Sequence, residues 1–365
     1  MSARLASLLE SHAGRAVITH HDRPTGTWIF ICIDDDTLGP GTGGTRLRLY
    51  EDPADGLLDA TRLAKGMTHK WAALGLPFGG AKAVLAVEHA LAGDERRGLL
   101  ERYGELIESF RGAFSTGEDL GTTPEDFEII ASKTRYVHGF DPETRQKLDP
   151  GPFTARGVFS GMRAAAEAVF GNGLAGRVVL VQGVGHVGRR LAGLAREAGA
   201  EILVSDIDDG LAGEVAASVG GAVVPASDTY SAACDVYAPC AVGATLNADT
   251  IPLLRCRVVA GSANNQLADA EDAERLHERG IVYTPDYVIN AGGALAFALL
   301  GDGERDHGVV MERMEDVGRA VGELLREARE RDESPVQSAD RRVRRVLERA
   351  SRGSSPRRPT SASSC

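Results

Sequence analysis

Val178-Val179-Leu180-Val181-Gln182-Gly183-Val184-Gly185-His186-Val187-Gly188 is the run on which the fold turns. Four aliphatic residues in a row suit a strand buried on both faces, and glycines at GxGxxG spacing follow it directly. Residues 189–198 then have helical composition. At a strand-to-helix turn, glycines permit a tight reversal and let a pyrophosphate approach the helix N-terminus. Gly183, Gly185, His186, Val187 and Gly188 are therefore candidate cofactor contacts. The next strand should end, about twenty residues on, in an acidic residue that takes the ribose hydroxyls. Asp206, in Leu203-Val204-Ser205-Asp206, stands there. Ile207, Asp208 and Asp209 follow it, and carboxylates at that place repel the extra phosphate of NADP, so NAD is the expected cofactor.

Working outward, short apolar runs recur at 178–182, 201–205, 222–224, 235–238, 258–260 and 281–283, with helical segments such as 189–198 and 272–279 between them. Continuous apolar strands alternating with helices indicate a parallel sheet covered on both faces, and six of them suit a doubly wound dinucleotide-binding (Rossmann) domain, placed at 152–303. The first half is mixed α/β. Strands are expected at 28–33, 45–50, 83–87 and 113–116, and helices at about 54–74, 94–110 and 123–132. It reads as a separate domain over 1–148 that handles substrate and oligomerisation, with a cleft between the halves. The segment 141–153, rich in Asp, Pro and Gly, reads as the linker. After Gly303 one long and one shorter helix, within 304–350, are expected to pack back on the first domain or on a neighbouring subunit. Residues 351–365, rich in Ser, Arg and Pro, read as a disordered tail.

Composition narrows the class. A chain of 365 residues with 43% hydrophobic and 25% charged residues is long enough for two cores. A formal net charge of −11 argues against nucleic acid as a partner. Five cysteines without a CxxC pair argue against a zinc site or a disulfide framework, so no metal is expected. The first sixteen residues lack the apolar run of a signal peptide, and no segment is long enough to span a bilayer. A cytoplasmic protein with no membrane partner is the expectation.

Three polar residues in the first half stand out. Leu63, Met67, Lys70 and Leu74 share one helix face, which makes Lys70 either a snorkelling lysine or the holder of an anion. Lys82 follows Gly79-Gly80-Ala81, a glycine turn that would feed a strand. A lysine desolvated at such a place has its pKa pulled toward neutrality, as a base requires. Asp119 precedes Thr123 and Pro124, which have the character of an N-cap and a first helical residue, so capping does not account for it.

Several runs together resemble the glutamate/leucine/phenylalanine/valine dehydrogenases. They are Gly43-Gly44-Thr45-Arg46, Gly66-Met67-Thr68-His69-Lys70, Gly79-Gly80-Ala81-Lys82, Glu118-Asp119-Leu120-Gly121-Thr122, Tyr237-Ala238-Pro239-Cys240-Ala241, 260–267 and 285–293. The resemblance spans about 27–345 and leans toward the leucine, valine and phenylalanine branch. It implies that Lys70 binds the substrate carboxylate and that Lys82 is the general base. Asp119 would hydrogen-bond the amino group and shuttle protons, while Asn264 and Asn290 orient nicotinamide and substrate. Ala238, Pro239, Cys240 and Ala263 would lie beside the cofactor, and Gly43 beside the substrate. The substrate side chain would be enclosed by Thr42, Met67, Gly117, Ala294 and Phe297, none of them charged. Alanine and valine are usual in branched-chain specialists where Gly117 and Ala294 stand, so the extra room favours a phenylalanine-like substrate. The implied reaction is reversible oxidative deamination to a 2-oxo acid, ammonium and NADH by a homo-oligomer, a dimer or an octamer. Two departures are visible. His69 stands where tyrosine is common, and Ala81 where a third glycine is common, bearing on the geometry of Lys82. Trp71 could be core or pocket wall. A non-catalytic NAD-binding regulatory protein of the same fold would be expected to lack Lys70, Lys82 or Asp119, and all three are present.

Overall fold

Two sheets organise the chain, and the computed structural model describes residues 3–140, 148–301, 304 and 306–353. The first half runs α1 (Ala3–Glu10), β1 (Ala16–Asp22), β2 (Thr27–Asp35), β3 (Gly41–Leu49), α2 (Pro53–Leu74), β4 (Gly79–Val87), α3 (Gly93–Ser109), β5 (Phe114–Glu118) and α4 (Pro124–Ala131). Its sheet has the order β1-β2-β4-β3-β5. β1, β2 and β4 pair antiparallel, whereas β3 pairs parallel with both β4 and β5. Every residue of β4 is buried. One face of this sheet, with Phe30, Cys32, Val84 and Ala86, packs on Leu57, Ala60 and Ala64 of α2. The other face, with Ile29, Ile31, Ala83 and Leu85, packs on Leu99 and Tyr103 of α3 and Phe127 of α4.

The second half runs α5 (Gly151–Phe170), β6 (Val178–Gln182), α6 (Gly188–Glu197), β7 (Glu201–Ser205), α7 (Asp209–Val219), β8 (Ala222–Val223), β9 (Val236–Pro239), β10 (Val258–Val259), α8 (Asp272–Glu278), β11 (Val282–Tyr283), α9 (Asp286–Ile289) and α10 (Gly292–Gly301). Its sheet has the order β11-β10-β9-β6-β7-β8 with every pairing parallel, the doubly wound arrangement with its crossover beside β6. The six expected strands are all present. Three helices close the chain: α11 (His307–Glu312), α12 (Glu315–Arg331) and α13 (Pro335–Gly353).

Several elements differ from expectation. β1 was not foreseen, because Ala16-Val17-Ile18-Thr19-His20-His21-Asp22 is an edge strand whose alternation two solvent-facing histidines blur. Lys82 lies within β4 rather than at a turn before it, since the strand already begins at Gly79. Of the segment read as linker, 141–147 falls outside the described residues, and α5 begins at Gly151. The closing helices were expected on the first domain or on a neighbouring subunit. α13 packs on α2 of the first half, whereas α12 packs mainly on α5 and α9 of the second. Of the expected tail, 351–353 end α13 and 354–365 lie outside the described residues.

Candidate active site

The register of the first sheet builds a trough. Cys32 pairs with Lys82, Gly44 pairs with Gly117, and the β3–β4 register of Thr42↔Gly80 and Thr45↔Ala83 sets Gly44 beside Lys82. The bridge Thr116↔Val137 sets His138 beside Gly117. Lys82, Gly44, Gly117 and His138 thus form one row across the sheet, on the face turned to α2. A methyl on Gly44 would lie 3.0 Å from Lys82 Nζ, and one on Gly117 would lie 3.7 Å from His138 Cβ. Two side-by-side glycines leave the floor between lysine and histidine without side chains.

Asp119 stands at one end of this floor. Its Oδ1 lies 3.2 Å from Lys82 Nζ and its Oδ2 accepts from Arg46 Nε at 2.8 Å. The turn after β5 fixes it: Thr122 Oγ1 accepts from Asp119 N at 3.1 Å and donates to Asp119 O at 2.8 Å. α4 then starts as its cap residues foretell, with Thr123 at the N-cap and a reciprocal bond to Asp126. Burial pulls the Lys82 ammonium below its ordinary pKa, against the pull of Asp119. Burial would raise the Asp119 carboxyl, but Lys82 and Arg46 outweigh it and hold the group below the usual range.

Lys70 reaches across the cleft. Its Nζ donates to Asn290 Oδ1 at 3.1 Å, and Asn290 Nδ2 donates to Asn264 Oδ1 at 2.7 Å. Burial draws Lys70 from 10.5 down to about 8, with Asp286 opposing and Lys82 assisting the shift. The face of α2 carrying Leu63, Met67, Lys70 and Leu74 is half-buried, while Leu57, Ala60, Ala64, Thr68 and Trp71 are among the residues the helix buries. Lys70 therefore points away from the sheet-packing face and toward the second half. A cavity of about 570 Å³ also opens between the halves, lined by Arg46, Asp59 and Leu63 on one side and Asn265, Asp286 and Tyr287 on the other. Lys70 and Lys82 do not line this cavity; Arg46 lines it and also holds Asp119.

Thr42, Gly117 and Phe297 are brought together, with Ala294 one turn before Phe297 on α10. Thr42 Oγ1 and Ser115 Oγ lie 3.1 Å apart, and Ser115 Oγ is 2.8 Å from His138 Nε2. A methyl on Gly139 would touch the Phe297 ring at 3.5 Å. His138 was not singled out from sequence, because only the bridge from β5 brings it beside Gly117. Burial lowers its pKa to about 4, so it is a neutral imidazole at pH 7. Met67 is half-buried on the cleft face of α2. Gly43 has a packing reason of its own: a methyl there would stand 1.7 Å from the Ala81 carbonyl.

Both departures are accommodated. The Ala81 methyl is buried on the face opposite Lys82, within the core shared with Ile33 and Phe114. His69 Nδ1 lies 3.4 Å from Asp340 of α13, and its ring meets Tyr287 edge-on, so it packs between helices. Trp71 is buried, tilts on Phe78 and donates to Thr42 O at 3.0 Å, which joins the core to the pocket wall.

The second half gathers its own group at the strand ends. Gly183 has φ +84, and a methyl there would come 2.6 Å from Ala241 Cβ. A methyl on Gly188 would collide with Gly183 O at 1.9 Å, whereas nothing lies within 4 Å of one on Gly185. Gly183 and Gly188 thus close the turn, and Gly185 leaves its outer side open for a pyrophosphate. Asp206 Oδ2 accepts from Val184 N at 2.8 Å and Oδ1 from Asp208 N at 3.1 Å, fixing the carboxylate at the end of β7. Val187 stands at the N-cap of α6. The His186 side chain turns to Asp149, 2.8 Å away, and so offers the turn only its backbone. Ala238 and Pro239 end β9, Cys240 N donates to Gln182 O at 2.7 Å, and Ala263 N donates to Pro239 O at 2.9 Å. These residues fit a dinucleotide laid across the crossover. Among the described residues no cluster of three His, Cys, Asp or Glu could hold a metal ion, and no helix is long and apolar enough to cross a membrane.

A doubly wound sheet with this open glycine turn, facing a second α/β half that presents one buried lysine, one half-buried lysine and a carboxylate, defines a dinucleotide-dependent oxidoreductase. The description "Glu/Leu/Phe/Val dehydrogenase, dimerisation domain" matches residues 24–136, and "Glutamate/Leucine/Phenylalanine/Valine dehydrogenase" matches 212–348. The chain belongs to this family and is an amino-acid dehydrogenase, an oxidoreductase acting on CH–NH2 groups. It is 40% identical to the leucine dehydrogenase of Bacillus subtilis over 356 residues, 96% of each chain. It is 35% identical to the phenylalanine dehydrogenase of Lysinibacillus sphaericus over 340 residues, 91% of this chain and 88% of that one. The crystal structure of L-tryptophan dehydrogenase from Nostoc punctiforme superposes with a TM-score of 0.83 at 34% identity, covering 95% of this chain and 99% of that one.

Proposed function

We propose that the chain catalyses the reversible NAD-dependent oxidative deamination of an apolar L-amino acid to the 2-oxo acid, ammonium and NADH, favouring phenylalanine-like side chains over leucine and valine. The observation that carries this reading is the Lys82–Asp119 pair, 3.2 Å apart at the edge of a glycine-floored trough, with Lys70 nearby on α2. Lys70 holds the substrate carboxylate. Lys82, its pKa drawn down by burial, takes a proton from the amine or, later, from the water that attacks the imino acid. Asp119 accepts a hydrogen bond from the amino group and passes protons between it and Lys82. Asn264 and Asn290 orient the nicotinamide and the α-carbon. Bound NAD supplies the hydride acceptor. The carboxylates of Asp206, Asp208 and Asp209 favour NAD over NADP by repelling a 2′-phosphate.

The side-chain pocket is uncharged, with a neutral His138, so a glutamate side chain would be buried unpaired at a cost of several kcal/mol. Gly117 and Ala294 leave room for a ring. The relatives act on leucine, phenylalanine and tryptophan, all with apolar side chains. We further assign substrate handling to 1–148 and dinucleotide binding to 152–303, in a cytoplasmic homo-oligomer, a dimer or an octamer. The test is NADH formation from NAD and each of the twenty amino acids, followed by kcat/KM for the active ones. Phenylalanine should exceed leucine, and Lys82→Ala should lose several orders of magnitude in turnover while still binding NAD. A preference for glutamate or for NADP, or more than a tenth of turnover left in Lys82→Ala, would defeat the reading.

A further inference from the structure

The two oxygens of Asp119 are treated differently. Oδ1 faces Lys82 and the trough, whereas Oδ2 is taken by Arg46 Nε at 2.8 Å. Arg46 lies on β3, between the strands that lead to Lys82 and Asp119, and two residues beyond Gly44 on the same face. Its guanidinium is gripped on a second side, where Nη1 donates to Asp59 Oδ2 at 2.8 Å. Tyr50 Oη donates to that same oxygen at 2.7 Å. The planar fork is therefore fixed by Asp59 of α2, itself held by Tyr50 just after β3, and by Asp119 in the turn after β5, and it is only 14% exposed. A plain staple between α2 and the sheet would need the Asp59 contact alone. The additional bond to Asp119 is what sets the plane of that carboxylate.

We infer that Arg46, backed by Asp59 and Tyr50, is a positioning residue that binds Asp119 by one oxygen and so reserves the other for Lys82 and the substrate amine. The inference rests on the roles proposed above for Lys82 and Asp119. The charges facing Lys82 are Asp119 after β5, Arg46 on β3, and Asp59 and Lys70 on α2. Burial lowers Lys82 most, Arg46 lowers it further, and Asp119 and Asp59 raise it. Removing the Arg46 cation must therefore raise the pKa of Lys82, and removing the Asp59 anion must lower it. Deamination needs Lys82 neutral, so its titration sets the acid limb of the kcat/KM profile. The two substitutions should displace that limb in opposite directions.

The experiment compares Arg46→Met, Arg46→Lys, Asp59→Asn and Asp119→Asn in the full-length enzyme, with NAD and its best amino acid. Arg46→Met should keep NAD binding and lose about 10–100-fold in kcat, with a smaller change in KM because Lys70 still holds the carboxylate. Its acid limb should move up by about one pH unit, and that of Asp59→Asn should move down. Arg46→Lys, which keeps the charge but not the fork, should recover part of kcat and most of the limb position. A structural staple predicts lower melting temperatures with kcat and both limbs in place, and that result overturns the inference. If Arg46→Met does not fold, an unmoved limb in Asp59→Asn or a wild-type kcat in Arg46→Lys overturns it as well. Asp119→Asn separates the two levels. If it retains more than a tenth of wild-type turnover, the catalytic reading fails; if it is inactive while the Arg46 variants behave as wild type, only the positioning role fails.

Discussion

Lys70 is half-buried and Lys82 buried in one cleft, yet the roles proposed for them ask opposite things of the two lysines. A carboxylate holder must be charged, and a base must be neutral. Burial draws Lys70 from 10.5 only to about 8, because Asp286 partly offsets the desolvation. In the free enzyme its ammonium is therefore intact at pH 7 and lost above about 8. The 2-oxo acid carries no amine, so its KM isolates this titration: flat below pH 8, it should climb above it. Lys70→Ala should remove that limb and raise KM about 10–100-fold, the size expected for losing a hydrogen bond to a charged partner. A KM independent of pH from 7 to 10 would return Lys70 to a snorkelling role. At this scale the sequence was legible where motif and anomaly coincided. Lys70 stood out as a cation in an apolar stripe, Lys82 as a lysine after glycines, and Asp119 as an acid that capping left unexplained. His138 offered no such signal, and Arg46 stood in the run Gly43-Gly44-Thr45-Arg46 without a role of its own. Their significance lies in partners at 119 and 115, which only the sheet register brings within reach.

Among elements, the strands of the second sheet were readable because burial on both faces writes a continuous apolar run. β1 was not, because an edge strand carries only half of that pattern. Besides its pairing with β2, β1 is anchored to α3 through its last residue. Asp22 is 2% exposed, and its carboxylate accepts from Arg102 Nε at 2.6 Å and Nη2 at 2.8 Å, and from Thr25 Oγ1 at 2.6 Å. Burial alone would raise this carboxyl, but the bonds from Arg102 and Thr25 prevail and its pKa lies below 3.8. A depressed carboxyl stabilises the fold above its unfolded pKa, and the contribution vanishes as pH falls through the folded value. Asp22→Asn should thus cost about 1–3 kcal/mol near neutral pH, kept to the lower end by the solvent around Arg102. The deficit should persist unchanged from pH 8 to 5 and narrow only below about 4. Urea unfolding at a series of pH values measures it, and a deficit that shrinks already between pH 8 and 6 would place the dependence on another group.

At the scale of the molecule, the two halves share a core. Ala72 and Ala73, at the end of α2, belong to the same buried cluster as Val179 and Val181 of β6, Leu324 of α12 and Val343 of α13. The sequence could not announce this, since alanines near a helix end look the same whether they meet their own sheet or another domain. The contact makes α2 a lever with one end in the second half and Lys70 one turn away, bonded across the cleft to Asn290. Unfolding either half exposes that shared surface, so heat should melt both in one transition. NAD, bound to the second half as proposed, contributes about 2.7 kcal/mol at a hundred times its Kd. For a chain of this length that moves a joint transition upward by about 3–4 °C. Val343→Ala, which opens a cavity at the junction and costs about 1–3 kcal/mol, should lower the same single peak. Calorimetry with and without NAD reads both. Two separate peaks, only one of them moved by NAD, would mean that the halves unfold independently and that the buried end of α2 does not couple them.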